Sequence, residues 1–179
     1  VRAPMIELVE AVNQKLARFA PDYVTEPSRA VFRIYRDTRF SADKTPYKTN
    51  CAATIGSGYI SFSADGLSVG GGLYMPDPKA LARYREAVDN EKSGVELVKI
   101  VAALRKEGYD TMAHEVLKTA PKGYPKDHPR IELLRYKGIA MMKTWPVGAW
   151  LGTRKAKDRV VTTLRAGVPL NQWLLRNVG

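Results

Sequence analysis

The sequence predicts an α+β protein, with a largely antiparallel sheet of five or six strands that helices cover mainly on one face. Apolar residues near the amino end repeat at helical spacing. Between residues 48 and 74, short β-prone runs are separated by tight turns, which join antiparallel neighbours. Because 179 residues are enough for one full core and no linker is visible, residues 1–179 are predicted to form a single domain.

The first half of the chain is predicted to form one helix and four strands. Residues 4–20 have apolar positions on one helical face, and Pro21 ends the helix. The predicted strands cover residues 31–36, 48–55, 59–64 and 67–74. Asp65-Gly66 predicts a hairpin between the last two strands, because both central positions of such a turn favour positive φ.

The second half is predicted to be mainly helical. Asp77 is a good N-cap ahead of Pro78, and Ser93 is predicted to cap the next helix, which ends near Gly108. Asp127 is predicted to cap a short helix. The remaining predicted elements are strands over 115–118 and 138–145 and helices over 129–136 and 158–166, the last broken by Gly167-Val168-Pro169 before a final turn at 170–175.

Three consecutive glycines, Gly70-Gly71-Gly72, interrupt the fourth predicted strand. Such a run is typical of a β-bulge or of close approach by a neighbouring backbone. The alternative is a ligand lying on bare backbone. The glycine spacing does not match a dinucleotide-binding fingerprint.

Composition limits the classes of function. The apolar fraction of 45% indicates a folded protein, and the net charge of +11 favours anionic partners. Cys51 is the only cysteine, so an internal disulfide is impossible, and its place in a predicted strand indicates a core thiol. We predict no metal and no cofactor, because the two histidines lack ligand spacing and no phosphate-binding loop pattern is present. No apolar run is long enough to span a membrane, and the predicted location is the cytoplasm.

Residues 29–48 are the main candidate site, with six cations and two carboxylates. Arginine forks match carboxylates and phosphates, and Tyr47 and Phe40 could stack on a ring. The predicted ligand is therefore an anionic small molecule bearing phosphate or carboxylate. Its predicted ligand-binding residues here are Arg33, Arg36, Asp37, Arg39, Lys44, Tyr47 and Lys48.

A second segment is predicted to complete this pocket. Lys122 and Tyr124 would contribute to its wall, together with the glycine run. His128 is the only obvious proton-transfer group and is the candidate for a catalytic residue, although a histidine at a helix start is commonly structural. Whether a reaction follows binding stays open.

Two alternatives stay open beside the small-ligand pocket. Residues 133–179 contain nine Lys or Arg residues and one acidic residue, which favours nucleic-acid binding, with Tyr136, Trp145 and Trp150 available for base stacking. The other alternative is an architectural motif, in which Asp37 and Asp43 neutralise the arginines and function lies on an interaction surface elsewhere.

Three motifs carry a resemblance to a known family. They are Phe-Arg-Ile-Tyr-Arg-Asp-Thr-Arg-Phe-Ser at 32–41 with Asp-Lys-Thr-Pro-Tyr-Lys-Thr at 43–49, Gly-Gly-Gly-Leu-Tyr at 70–74, and Pro-Lys-Gly-Tyr at 121–124 with Asp-His-Pro at 127–129. The chain resembles the conserved hypothetical family called domain of unknown function 2461. The resemblance implies one intracellular domain and supplies no activity. Family members usually begin with a further helical segment, and we expect that segment to be missing here.

Overall fold

A computed structural model describes residues 2–39 and 42–179. Within this part of the chain, the helices and strands are α1 (Arg2–Leu16), α2 (Pro27–Ala30), β1 (Cys51–Ile55), β2 (Gly58–Ser63), β3 (Gly66–Leu73), α3 (Pro78–Asp89), α4 (Glu91–Lys106), β4 (Asp110–Met112), α5 (Ile131–Arg135), β5 (Ile139–Trp145) and α6 (Arg154–Asn177). A 3-10 turn lies at Pro21–Tyr23. The five strands form one antiparallel sheet in the order β1-β2-β3-β5-β4. The predicted α+β class is confirmed.

The chain forms two compact units. The first comprises Val1–Val69 and Thr144–Arg165, and the second comprises Gly70–Lys143 and Ala166–Gly179. Strands β3 and β5 and helix α6 each contribute residues to both units.

In the first unit, α1 packs against β1. The predicted apolar stripe is confirmed, because Met5, Val9, Val12 and Leu16 are all buried. Strands β1 and β2 pair antiparallel, with Ala53 opposite Ile60, and both residues are fully buried. The turn between β2 and β3 occupies residues 64–65, one residue before the predicted position, and Gly66 begins β3 with φ 129°.

In the second unit, a cluster of large apolar residues forms the core around Tyr84 and Trp173. Burying these aromatics also buries one polar atom on each. The Tyr84 hydroxyl donates to the Leu133 carbonyl at 3.0 Å, and the Trp173 indole Nε1 donates to the Ser93 carbonyl at 2.9 Å. Burial raises the pKa of the Tyr84 phenol, so it stays a neutral donor.

Two predicted strands are wrong. Residues 31–36 contribute only the isolated bridges Val31–Ala53 and Tyr35–Tyr47, because most of this segment is exposed and lies outside the sheet. Residues 115–118 contribute only the bridge Val116–Tyr136. The strand that pairs with β5 in this region is β4, a few residues before the predicted one. The chain turns at Gly108 and brings Thr111 opposite Met141.

Two of the predicted helix caps are also wrong, although Asp77 caps α3 as predicted by accepting from the Ala80 N–H at 2.8 Å. Asn90, not Ser93, caps α4, because its side-chain oxygen accepts from the Lys92 and Ser93 N–H groups. Asp127 caps no helix, since α5 begins at Ile131 without a side-chain cap.

Helix α6 continues through the predicted break at Gly167-Val168-Pro169. A proline removes one backbone donor from a helix of 24 residues, and the helix retains buried anchors on both sides of it, Leu164 and Trp173. The helix therefore does not end where local propensity predicts.

The glycine run in β3 lies against the neighbouring strand β5. A Cβ at Gly70 would overlap the Met141 carbonyl oxygen, and a Cβ at Gly72, where φ is 134°, would lie 2.7 Å from the Ala140 Cα. Close approach of the neighbouring backbone, one of the interpretations given above, therefore accounts for Gly70 and Gly72.

Candidate functional site

Residues 31–39 and 42–50 form a mostly exposed segment between α2 and β1, which we call the basic arm, and residues 34–36 in it run antiparallel to residues 46–48. The Arg36 N–H donates to the Pro46 carbonyl and the Lys48 N–H donates to the Ile34 carbonyl, each at 2.9 Å. This pattern makes Tyr35 and Tyr47 a non-hydrogen-bonded pair, in which the side chains come closest. Phe40, the second ring predicted to stack, lies outside the described residues.

The base of the basic arm is attached to the first two strands. The Phe32 N–H donates to the Ala52 carbonyl at 2.9 Å, and the Phe32 ring centroid lies 6.4 Å from that of Tyr59. The Lys48 ammonium lies 5.3 Å from the centroid of the Phe32 ring, which is within cation–π range. One face of Phe32 is therefore already covered.

Arg36, Asp43 and Thr45 form a hydrogen-bonded network across the basic arm. Asp43 accepts from the Thr45 N–H at 2.9 Å and from its hydroxyl at 2.8 Å, and it also pairs with the Arg36 guanidinium. These contacts lower the pKa of Asp43 to about 2. The two hydrogen bonds from Thr45 have the largest effect, and the hydrogen bond and charge of Arg36 add to it. Arg36 is thus engaged in holding the turn rather than presented to solvent.

Arg39 forms a second pair with Asp37. Its Nε and Nη2 donate to the two carboxylate oxygens at 3.0 and 2.7 Å, a fork that lowers the pKa of Asp37. The arginine–aspartate network of the architectural alternative therefore exists. It lies on the surface, however, because the Arg39 side chain is 77% exposed and Arg36 is only half-buried, so neither arginine is a buried charge.

The arm presents further cations and rings to solvent. Arg33 is exposed and makes no hydrogen bond or ion pair with any described residue. Lys44 is exposed and donates to the Thr38 carbonyl at 2.8 Å, which leaves two of its three N–H donors. Tyr35 and Tyr47 are each 56% exposed, with ring centroids 5.6 Å apart.

The other predicted site residues, Lys122, Tyr124 and His128, belong to the second unit. The His128 Nε2 lies 3.1 Å from an Asp89 carboxylate oxygen, and its Nδ1 accepts from the Arg130 N–H at 3.0 Å. Both ring nitrogens are therefore occupied, which favours the structural role over proton transfer. Lys122 is exposed. Burial and the charges of Asp89 and Glu86 raise the pKa of Tyr124, so its phenol stays neutral.

Arg130, which sequence reasoning missed, is the most constrained cation in this segment. Its side chain is 7% exposed, and it donates from Nε to the Val88 carbonyl and from Nη2 to the Asp89 carbonyl, both at 2.7 Å. It thereby satisfies carbonyls at the carboxyl end of α3. A Cβ at Gly94 would overlap the Val88 carbonyl oxygen and lie 2.6 Å from the Arg130 Nε, so the glycine leaves room for this hydrogen bond. No local pattern signals a contact between residues so far apart in the chain.

The basic carboxyl-terminal third does not form one continuous set of exposed cations. Arg159 is half-buried, with its Cζ 3.8 Å from the Trp150 ring centroid and 5.4 Å from that of Trp145. Arg176 pairs with Glu96 at 2.6 Å. The two tryptophans proposed for base stacking are therefore already in contact with a cation of the protein itself.

Three further features are relevant to function. Among residues 2–39 and 42–179, no group of three or more His, Cys, Asp or Glu side chains could hold a metal ion. In the same part of the chain, no helix is both long and apolar enough to cross a membrane. The Cys51 thiol is buried, which raises its pKa, and this position fits a core thiol rather than a nucleophile.

Comparison with known protein families gives the same family that the motifs of the basic arm indicate. No curated protein and no solved structure matches the chain. A family model described as "Conserved hypothetical protein (DUF2461)" matches residues 1–173, almost the whole length. The chain therefore belongs to this conserved hypothetical family, DUF2461.

Proposed function

We propose that the basic arm binds an anionic ligand that carries phosphate or carboxylate groups. The observation that carries this proposal is a pair of exposed cations on a segment in which Arg36, Asp43 and Thr45 form a hydrogen-bonded network. Arg33 and Lys44 supply the exposed charges, since Arg36 and Arg39 are paired with aspartates and Lys48 is half-buried over the Phe32 ring. Preordering by this network lowers the entropy cost of binding.

The architecture of the arm supports binding more than a purely structural role. Exposed ion pairs contribute about 0–1 kcal/mol each, so the Arg36 and Arg39 pairs add little to global stability. Their effect is local, because both pairs join residues within the basic arm. The nucleic-acid alternative on the carboxyl-terminal third has less support, because Arg159 contacts both tryptophans. A cytoplasmic location, in keeping with the single cysteine, is part of the proposal.

Thermal denaturation with and without anions tests the proposal. Pyrophosphate and citrate are compared with chloride at equal ionic strength, on the wild type, Arg33→Gln and Lys99→Gln. Both residues are exposed, and both substitutions remove one positive charge, but Lys99 lies on α4. We expect a ligand-induced rise in midpoint for the wild type and Lys99→Gln, and a smaller rise for Arg33→Gln.

Two results would contradict the proposal. One is equal stabilisation of all three proteins by every anion, which would indicate a nonspecific charge effect. The other is no stabilisation of the wild type by pyrophosphate, by citrate or by any larger phosphate- or carboxylate-bearing molecule screened in the same assay.

A further inference from the structure

We infer that the ligand of the basic arm is a single strand of nucleic acid, with bases stacking on Tyr35 and Tyr47 and phosphates held by the neighbouring cations. This inference rests on the proposed function, because it names the class of anion that the arm would bind. It differs from the earlier nucleic-acid alternative, which used the carboxyl-terminal third.

The first argument is the exposure of the rings. Tyr35 and Tyr47 are each 56% exposed although their centroids are 5.6 Å apart, so each ring keeps accessible surface beyond their mutual contact. Neither hydroxyl makes a hydrogen bond to another described residue. Solvent-exposed aromatic platforms beside cations are the feature by which proteins bind single strands, since every base has a flat face to stack.

The second argument is the placement of charge around the rings. Arg33 lies two residues before Tyr35, which puts both on the same side of an extended segment. Lys44 and Lys48 lie at odd spacings from Tyr47, so alternation puts them on the other side of the arm, where the Lys48 ammonium lies 5.3 Å from the centroid of the Phe32 ring. Arg33 is therefore the cation on the side of the rings, and the two lysines add positive charge on the opposite side. A small anion such as citrate would use the charges but leave the rings unused.

The third argument excludes a duplex. In double-stranded DNA the base faces stack on one another, so two exposed tyrosines can reach them only by unstacking a step. An acidic peptide would satisfy the cations but would not need flat platforms. A strand with unpaired bases uses both features at once.

Fluorescence anisotropy with four labelled probes tests the inference. The probes are an oligothymidylate of about fifteen nucleotides, an abasic deoxyribose-phosphate strand of equal length, the corresponding duplex and polyglutamate. The proteins are the wild type, Tyr47→Thr, Arg33→Gln and the control Tyr74→Thr. Tyr74 is a suitable control because it is 57% exposed but lies in the second unit.

We expect the wild type to bind oligothymidylate most tightly. Tyr47→Thr should lower that affinity about tenfold, while its affinity for the abasic strand stays within about twofold of the wild type. Arg33→Gln should weaken binding of both single strands and reduce the slope of log affinity against log salt by about one. Tyr74→Thr should match the wild type with all four probes.

The outcomes separate the inference from the proposed function. Equal affinity for oligothymidylate and the abasic strand, tighter binding of the duplex or polyglutamate, or no effect of Tyr47→Thr would overturn the inference. If pyrophosphate or citrate still stabilises the wild type more than Arg33→Gln, the proposed function stands although the single-strand inference is wrong. If neither strands nor small anions bind, both are wrong.

Discussion

Removing the buried guanidinium of Arg130 should destabilise the second unit by about 3 kcal/mol. Arg130→Met keeps an unbranched apolar side chain but loses the donors to the Val88 and Asp89 carbonyls. An unsatisfied buried acceptor costs about 1–3 kcal/mol. The carbonyl of Val88 should pay this full cost, because Val88 is fully buried. The carbonyl of Asp89 should lose less, because Asp89 is exposed and water can replace the lost donor. For a chain of this length, the melting temperature should fall by about 6–12 °C.

Urea denaturation followed by circular dichroism measures this loss, and Arg105→Met is the matched control. Arg105 pairs with Glu132 at 2.6 Å, but its side chain is 43% exposed, so its loss should cost less than about 1 kcal/mol. Equal effects of the two substitutions would refute the reasoning from burial. Gly94→Ala should also destabilise the second unit, because a Cβ there would overlap the Val88 carbonyl oxygen and crowd the Arg130 guanidinium that bonds to it.

Three further predictions concern other parts of the fold. Gly70→Ala should cost at least about 2 kcal/mol in urea denaturation, since a Cβ would overlap a β5 carbonyl oxygen, whereas Gly152→Ala, with no atom within 4 Å, should change stability by less than about 0.5 kcal/mol. Pro169→Ala should raise the thermal midpoint, because an interior helical proline costs about 3 kcal/mol relative to alanine; an unchanged or lower midpoint would contradict the observed continuity of α6. The pKa of Asp43 in the folded protein, about 2, lies below its ordinary value, so its contribution to the arm is complete above pH about 4 and is lost as pH falls through about 2. The Thr45 amide NMR shift should therefore titrate near pH 2, and a midpoint near 4 would contradict this contact.

Local signals in the sequence predict the elements whose neighbours in the chain are enough to define them. The apolar stripe of α1 and the N-cap Asp77 are confirmed because helical periodicity and capping depend on residues within one or two turns. The turn near Asp65 is likewise local. The motif around Arg36 also identifies its own ion-pair partner, since Asp43 is only seven residues away.

Tertiary structure decides the rest, because the deciding contacts join residues far apart in the chain. The β-prone run after Val31 stays outside the sheet, and α6 passes through Pro169 because buried residues on both sides anchor it. The His128 ring pairs with the Asp89 carboxylate, and the Arg130 guanidinium packs beside Gly94. By itself, the sequence therefore determines the α+β class, most of the helices and the composition of the basic arm. Only the fold determines which cations are buried, which are paired and which remain exposed to bind a ligand, since burial is a property of packing rather than of local sequence.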